Sequence, residues 1–207
     1  MRLWRKKKTP SRGFIGDWNH RIGDLFRCGI EFRDRTVLDA GCNMGILAYE
    51  IAKHEPKFIH GIDRSIGYIR TAQMIFLGVA LDSQFDRLDM SRAKELTAAL
   101  RPSYDIVLFL SVYQHLRNAY GVDLAQGTLR TLLARCHGHF VFRVPQAELA
   151  EADAVIIGEG FVKTFTGDVF DNGTALLKDR GVSSRFHVYR RQTTGSSSPA
   201  PDKAVRA

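Results

Sequence analysis

The chain has 207 residues, of which 44% are hydrophobic and 25% are charged, and its formal net charge is +8. This length fits one domain with a sizeable core, and the composition is typical of an ordinary soluble protein. No apolar run approaches the roughly 20 residues of a membrane span, and the basic start is not followed by the apolar segment of a signal peptide. We therefore expect neither a transmembrane segment nor a signal peptide.

The positive charge is concentrated at the two ends of the chain. Residues 1–12 carry six cations and no acid, residues 190–207 carry a net charge of +3, and residues 13–189 therefore carry −1. Basic tails are most often disordered and solubilising, although such an arm can also contact nucleic acid or another anionic partner. We predict a flexible basic arm over 1–12, one folded domain over 13–191 and a disordered tail over 192–207.

The cysteines and histidines give no pattern of a metal site or of disulfides. The three cysteines, Cys28, Cys42 and Cys136, are odd in number and show no C-x-x-C spacing. This usage predicts reduced thiols in a cytoplasmic protein. His137 and His139 flank one glycine without further ligands at a useful spacing, so no metal is predicted.

Predicted strands alternate with predicted helices along the chain. Apolar runs and alternating patterns predict seven strands, at 36–39, 57–63, 82–88, 103–111, 139–144, 160–166 and 184–190. Apolar residues at helical spacing predict six helices, at 17–29, 46–53, 65–79, 91–100, 123–136 and 146–157. This order predicts a single doubly wound α/β domain, Rossmann-like, with a mostly parallel seven-stranded sheet. The polar–apolar alternation of the last strand predicts that it is antiparallel.

The first predicted strand ends in a glycine-rich turn that opens a helix. Glycines let the backbone turn sharply and approach a ligand, and the helix N-terminus offers free N–H groups, so this arrangement favours a nucleotide-like ligand. The third glycine of the dinucleotide fingerprint is missing. Asn43 stands within the turn, and asparagine tolerates a left-handed backbone better than other non-glycine residues.

The spacing Asp39-x-Gly41-x-Asn43-x-Gly45 resembles motif I of the class I S-adenosylmethionine-dependent methyltransferases, which usually reads acid-x-G-x-G-x-G. Asn43 replaces the middle glycine. The resemblance implies S-adenosyl-L-methionine as the cofactor, held by Asp39, Gly41, Cys42, Asn43 and Gly45. The segment is also compatible with an ordinary βα turn of an α/β protein.

Two further acids lie at the ends of predicted strands. Asp63 comes 18 residues after Gly45, and a carboxylate can accept hydrogen bonds from both hydroxyls of a ribose. The resemblance implies that role for Asp63, with Arg64 over the adenine face, Asp89 accepting from the adenine amine and Met90 packing on the ring. Both acids also precede helices, so helix capping is the alternative.

The strand 103–111 continues into Val112-Tyr-Gln-His-Leu116, and together they resemble the D-x-V-x-x-x-S-V-x-x-H-L form of motif IV in many methyltransferases. The resemblance implies five site residues, Leu110 and Ser111 at the cofactor, and Tyr113, Gln114 and His115 beside the acceptor. Histidine has a suitable pKa for a general base near neutral pH, and the alternative is that His115 only packs.

The sequence therefore predicts a methyltransferase, with O-methylation of a small-molecule, sugar or phosphate acceptor as the favoured reaction. The stretch after the fourth strand resembles that of glycan chain-terminating and RNA methylphosphate-capping methyltransferases. His20 and Arg21 are further candidates for contacting the acceptor or the methionine carboxylate, and residues 168–182 for shaping the acceptor pocket. The alternatives are an RNA methyltransferase that uses the basic arm, a nicotinamide oxidoreductase and a non-catalytic methyltransferase-like module. Methylation of base amino groups is disfavoured because no N-P-P-Y or D-P-P-Y tetrad follows the fourth strand.

Overall fold

A computed structural model describes residues 23, 25–171 and 183–192. The predicted arm and nearly all of the predicted tail lie outside these residues, as do the candidates His20 and Arg21. Most of the first predicted helix does too, and within it residues 25–27 are helical. The described part of the predicted pocket segment 168–182 ends at Asp171.

The described residues form alternating strands and helices in the predicted order. The strands are β1 (Thr36–Ala40), β2 (Phe58–Asp63), β3 (Ser83–Arg87), β4 (Tyr104–Leu110), β5 (Cys136–Pro145), β6 (Phe161–Asp171) and β7 (Ser183–Arg191). The helices that follow β1 are α1 (Ile46–Ala52), α2 (Ile66–Phe76), α3 (Ala93–Ala99), α4 (Tyr113–Tyr120), α5 (Val122–Ala134) and α6 (Gln146–Gly158).

All seven described strands belong to one sheet, in the order β3-β2-β1-β4-β5-β7-β6. Strands β1 to β5 pair in parallel, whereas β7 is antiparallel to both β5 and β6. The predictions of a mostly parallel sheet and of an antiparallel last strand are therefore confirmed. The run Ile106–Phe109 is buried because β4 lies at the centre of the sheet with helices over both faces.

The helices cover both faces of the sheet, as a doubly wound fold requires. One buried cluster joins the sheet to α1 and α2, and a second joins its other face to α3, α4, α5 and α6. Burying apolar surface on both faces stabilises the layers and leaves polar groups at the strand ends. None of the helices in the described ranges is long and apolar enough to cross a membrane.

Three details differ from the sequence-based predictions. Helix α4 is not predicted, because it is short and only two of its residues are buried, Tyr113 and Leu116. Strand β5 begins at Cys136, three residues before the predicted start, where Cys136 pairs with Tyr104. Strand β6 runs to Asp171 because its end pairs with β7.

Candidate functional site

The turn after β1 is built on three residues with left-handed backbones. The φ angles are 92° at Gly41, 51° at Asn43 and 75° at Gly45. A Cβ at Gly41 would overlap the side chain of Val112, and one at Gly45 would lie 2.8 Å from the Cβ of Ala72. The two glycines therefore meet both a steric and a conformational requirement, while Asn43 adopts the left-handed conformation that asparagine tolerates.

Asp39 is a buried carboxylate at the end of β1. The residue is 3% exposed, and its Oδ2 accepts no hydrogen bond from any described residue. Burial, and then the negative charge of Asp63, raise the pKa of Asp39 to about 7. A half-ionised carboxyl without a donor is costly in a protein interior, so this atom is suited to a ligand that brings positive charge or a donor.

Asp63 connects the end of β2 to the glycine turn. Its Oδ2 accepts from the backbone N–H of Asn43 at 3.1 Å, and its Oδ1 accepts from that of Ser65 at 2.9 Å. Ser65 itself caps α2, accepting from the N–H of Tyr68 at 3.4 Å. The carboxylate thus supports the helix start, and each oxygen keeps a second lone pair for a ligand hydroxyl.

Cys42 lies in the turn with its side chain buried. Its thiol donates to the carbonyl oxygen of Asn43 at 3.6 Å. Burial, followed by the charges of Asp39 and Asp63, raises the pKa of this thiol far above its ordinary value. Because only a thiolate is a good nucleophile, Cys42 contributes backbone and packing to the site and no covalent chemistry.

Asp89 and Met90 follow β3, with different surroundings. The Oδ1 of Asp89 accepts from the N–H of Ser91 at 3.0 Å and from its hydroxyl at 2.8 Å. Burial acts to raise the pKa of Asp89, but the bonds from Ser91 and the nearby cations Arg92 and Arg64 outweigh it and lower that pKa. Met90 is 7% exposed and packs in the core. Ser91 and Arg92, which follow it in the chain, are more exposed to solvent.

The end of β4 turns abruptly into α4. Ser111 has a φ of 59°, which is uncommon for a residue other than glycine, and its N–H donates to the carbonyl of Arg143 at 2.9 Å. Leu110 is half-buried just before it. The left-handed Ser111 starts α4 directly at the carboxyl edge of the sheet, where parallel α/β sheets bind their ligands.

The three acceptor-side candidates have different environments on α4. Tyr113 is fully buried, and its hydroxyl donates to Oε1 of Glu151 at 3.0 Å. Burial, and then Glu151, raise the pKa of Tyr113 well above its ordinary value. His115 is exposed, and Gln114 is half-buried with an Oε1 that accepts no hydrogen bond from the described residues.

Sequence reasoning missed the partner of Tyr113. Arg117 Nε also donates to Oε1 of Glu151, at 2.8 Å, so Glu151 joins α4 to α6 through two donors. The sequence carries no signal for this pairing, because Glu151 lies in a different helix 34 residues after Arg117. Arg143, a buried cation near the end of β5, was also missed, although a lone arginine in an apolar strand was a visible signal.

The described residues include no group of three or more His, Cys, Asp or Glu side chains that could hold a metal ion. A cleft with a volume of about 570 Å³ lies at the carboxyl ends of β2 and β3. It is lined by Arg64, Ser65, Arg87, Asp89, Arg92 and Glu95. The cleft brings together two of the predicted site residues, Arg64 and Asp89.

No protein-family model matches the chain. A ubiquinone biosynthesis O-methyltransferase of Neisseria meningitidis serogroup C is 33% identical over 86 residues, which are 41% of this chain and 35% of that protein. A tRNA U34 carboxymethyltransferase of Helicobacter acinonychis is 27% identical over 119 residues, which are 56% of this chain and 45% of that protein. The match thus spans less than half the length of either relative.

Solved structures of methyltransferases share the fold. The N-methyltransferase NodS from Bradyrhizobium japonicum aligns with a TM-score of 0.66 and 14% identity, over 85% of this chain and 97% of that one. The bifunctional kinase-methyltransferase WbdD aligns with a TM-score of 0.65 and 18% identity, over 83% of this chain and 39% of that one. The order of strands and helices is therefore that of a known class of Rossmann-like domains.

Proposed function

We propose that this chain, which is related to the class I S-adenosylmethionine-dependent methyltransferases, binds S-adenosyl-L-methionine and transfers its methyl group to an oxygen of a small-molecule, sugar or phosphate acceptor. The observation that carries the proposal is the carboxyl of Asp39, buried beside a sharp glycine turn with one oxygen that no described residue satisfies. A cofactor with an ammonium and a sulfonium group would supply the missing positive charge.

The residues at the carboxyl edge fit this cofactor. The left-handed backbone of Gly41, Asn43 and Gly45 would form, together with Cys42, the turn against which the methionine part lies. The remaining lone pairs of Asp63 suit the ribose hydroxyls.

We assign the adenine to the cleft and the transferred methyl to the end of β4. Asp89 would accept from the adenine amine and Arg64 would border the ring, since both line the cleft, whereas Met90 is buried in the core and would only support this end of β3 from below. Leu110 and the left-handed Ser111 would border the cofactor where it meets the acceptor. When bound, S-adenosyl-L-methionine supplies an electrophilic methyl group, so the protein mainly has to align an acceptor oxygen with it.

Helix α4 would act on the acceptor. His115 is the candidate general base, because its side chain is exposed beside the strand end and an imidazole can take a proton near neutral pH. The Oε1 atom of Gln114 is buried and accepts no hydrogen bond from the described residues, so it suits the hydroxyl of an acceptor. We assign Tyr113 a positioning role, since its hydroxyl ties α4 to Glu151 and is buried away from solvent.

One of the two relatives supports methyl transfer, the other is by name a carboxymethyltransferase, and together they leave two kinds of acceptor to compare. The more similar of the two is an O-methyltransferase of ubiquinone biosynthesis, which supports an oxygen acceptor. The other acts on tRNA, which supports RNA as the alternative acceptor. The first is 33% identical and the second 27% identical, and each matches only part of this chain. The substrate of neither relative can therefore be assigned to this chain.

Isothermal titration with S-adenosylhomocysteine tests the proposal. Asp63→Asn replaces one acceptor oxygen by a donor, and we expect binding at least about tenfold weaker than in the wild type. Asp82→Asn is the matched control, because Asp82 is an exposed acid next to the start of β3, at the opposite end of the sheet. We expect the control to bind like the wild type.

Titration with NAD(H) decides between the other candidate functions. Binding of NAD(H) without binding of S-adenosylhomocysteine would assign the chain to the nicotinamide oxidoreductases. Failure of both ligands to bind would favour a non-catalytic module. In either case the methyltransferase proposal would be wrong.

A further inference from the structure

The exposed apolar side chains of the described residues are concentrated on two neighbouring helices. Of the eight large hydrophobic residues that are exposed there, five lie on α1, on α2 or directly after α2: Tyr49, Ile66, Tyr68, Met74 and Leu77. The other three are scattered over α4, α6 and β6. Single exposed hydrophobic residues are ordinary on a protein surface, whereas a group of them indicates an interaction surface.

Helix α2 is apolar on its outer face as well as on its inner face. The inner face is formed by three residues buried against the sheet, Ile69, Ala72 and Phe76. At about 100° per residue, Ile66, Met74 and Leu77 lie within an arc of about 80° that is separate from the buried one. We call these three residues the α2 stripe. Met74 is 72% exposed and Leu77 is 87% exposed. A helix that is apolar all round is normally buried, so we expect a partner to cover the stripe.

The α2 stripe lies in a stretch of the chain that carries cations and no acid. Residues 64–81 include two arginines, Arg64 and Arg70, and no Asp or Glu. Arg70 is exposed, and at about 100° per residue it falls between Ile66 and Met74 on the outer face of the helix. An apolar surface with a cation inside it and no acid complements a partner that offers hydrocarbon and negative charge together.

Two exposed tyrosines border the α2 stripe. Tyr49 of α1 contacts Phe76 edge-to-face, with the ring centroids 6.4 Å apart, and Nζ of Lys53 lies 5.1 Å from the centroid of the Tyr49 ring. Tyr68 lies in the first turn of α2. A tyrosine has an apolar ring and a polar tip, and a lysine has an apolar stem and a charged head, so both types suit the boundary between water and lipid.

We propose that the face formed by Tyr49, Arg70 and the α2 stripe docks on an anionic membrane surface. The stripe would lie at the boundary between headgroups and acyl chains, with Arg70 against the lipid phosphates. Helix α2 has 11 residues, which are too few to span a bilayer, so it would lie in the plane of the interface. This inference is independent of the proposed methyl transfer.

A second copy of the chain fits this surface less well. Most homodimers have two-fold symmetry, so a dimer formed through α2 would place the two Arg70 side chains near each other. The stretch 64–81 supplies no acid to pair with them. The phosphates of a membrane would supply the missing negative charge, and its fluid hydrocarbon adapts to flexible side chains such as that of Met74.

The experiment measures co-sedimentation of the full chain with vesicles. One set of vesicles is phosphatidylcholine alone, and the other is phosphatidylcholine and phosphatidylglycerol in equal parts. The test variant is Met74→Ser combined with Leu77→Ser, which removes apolar surface without changing the charge. The matched control is Ile157→Ser combined with Val162→Ser, two exposed apolar residues of α6 and β6. Strand β6 is at the opposite edge of the sheet from β3, against which α2 packs.

We expect the wild type to bind the anionic vesicles at least about tenfold more tightly than the phosphatidylcholine vesicles. The test variant should bind the anionic vesicles at least about tenfold more weakly than the wild type, because it loses two aliphatic side chains from the interface. Arg70→Ala should bind them about fivefold more weakly, and the control should stay within about twofold of the wild type. Denaturant unfolding of both double variants at the wild-type midpoint shows that they are folded.

Three results would overturn the inference. The first is no binding of a monomeric wild type to the anionic vesicles, which would leave an acidic protein as the partner. The second is the same affinity in the test variant and the control, which would assign the binding to other parts of the chain. The third is a wild-type dimer in sedimentation velocity that the test variant dissociates, which would assign the α2 stripe to a second copy.

Discussion

Replacing Asp39 by asparagine should separate the stability of this protein from its affinity for the cofactor. Burial and the nearby charge of Asp63 raise the pKa of Asp39 from 3.8 to about 7 in the folded chain. At 1.36 kcal/mol per pKa unit, a change of about three units corresponds to about 4 kcal/mol. The ionised carboxylate of Asp39 is thus expected to destabilise the ligand-free fold by that order of magnitude.

The direction of the pH dependence follows from the raised pKa. Between pH 3.8 and about 7 the unfolded chain has released the proton that folded Asp39 still holds, so stability is lost as the pH rises through this window. Above pH 7 the loss is complete and constant. Asparagine is neutral at every pH, so Asp39→Asn should not show the loss. A buried amide can add a cost of about 1–3 kcal/mol, but that cost does not depend on pH.

The assay is denaturant unfolding of both proteins at pH 5, 6, 7 and 8. The free energy of unfolding of Asp39→Asn, relative to the wild type, should rise by about 2.5 kcal/mol between pH 5 and pH 8. Asp82→Asn controls for the removal of one negative charge at an exposed position. An equal difference at pH 5 and pH 8 would show that Asp39 is not perturbed and would refute the reasoning.

The same carboxyl should make cofactor binding release a proton. A cationic ligand favours ionised Asp39, so at pH 7 the wild type is expected to release about half a proton on binding S-adenosyl-L-methionine. Calorimetry in two buffers of different ionisation enthalpy measures this number. Asp39→Asn should bind more weakly and release none of this proton.

Two further substitutions test the turn and the α4 anchor. Gly41→Ala places a methyl group against Val112 at a φ of 92°. It should destabilise the fold by about 1–3 kcal/mol and weaken the binding of S-adenosylhomocysteine. In a double-mutant cycle, Val112→Ala should restore part of both losses. Tyr113→Phe removes the hydroxyl that donates to Glu151, so the free energy of unfolding measured with denaturant should fall by about 1 kcal/mol. The affinity for S-adenosylhomocysteine should stay the same. A tenfold weaker affinity would instead place Tyr113 in the cofactor site.

Local patterns were sufficient to predict most of the fold. The apolar run Ile106–Leu110 indicated the central strand, and the alternation in Ser184–Arg190 indicated the antiparallel one. Both depend on burial of one or two sheet faces, which leaves a direct mark on the residue pattern. Helix α4 left a weaker mark, because it has eight residues and only Tyr113 and Leu116 are buried, and its bonds to Glu151 of α6 join residues far apart in the chain.

The glycine turn was likewise visible in the sequence, since Gly41, Asn43 and Gly45 are residue types that the left-handed backbone there requires. The spacing along the chain only suggested that Asp63 lies near this turn. The structure shows it, because the N–H of Asn43 donates to the carboxylate of Asp63. Membership of a common fold is thus encoded locally, by the order of strands, turns and acids.

The sequence by itself determined the order of the elements, the parallel sheet and the identity of the glycine turn, because each rests on contacts between residues close in the chain or on the burial of a whole strand. Only the tertiary structure decided that Asp39 is buried with a raised pKa, that Tyr113 is held by Glu151 and that three arginines share one cleft. These properties depend on which strands and helices become neighbours, because their packing sets the desolvation of each group and the charges around it. The spacing of residues along the chain contains no information on this packing.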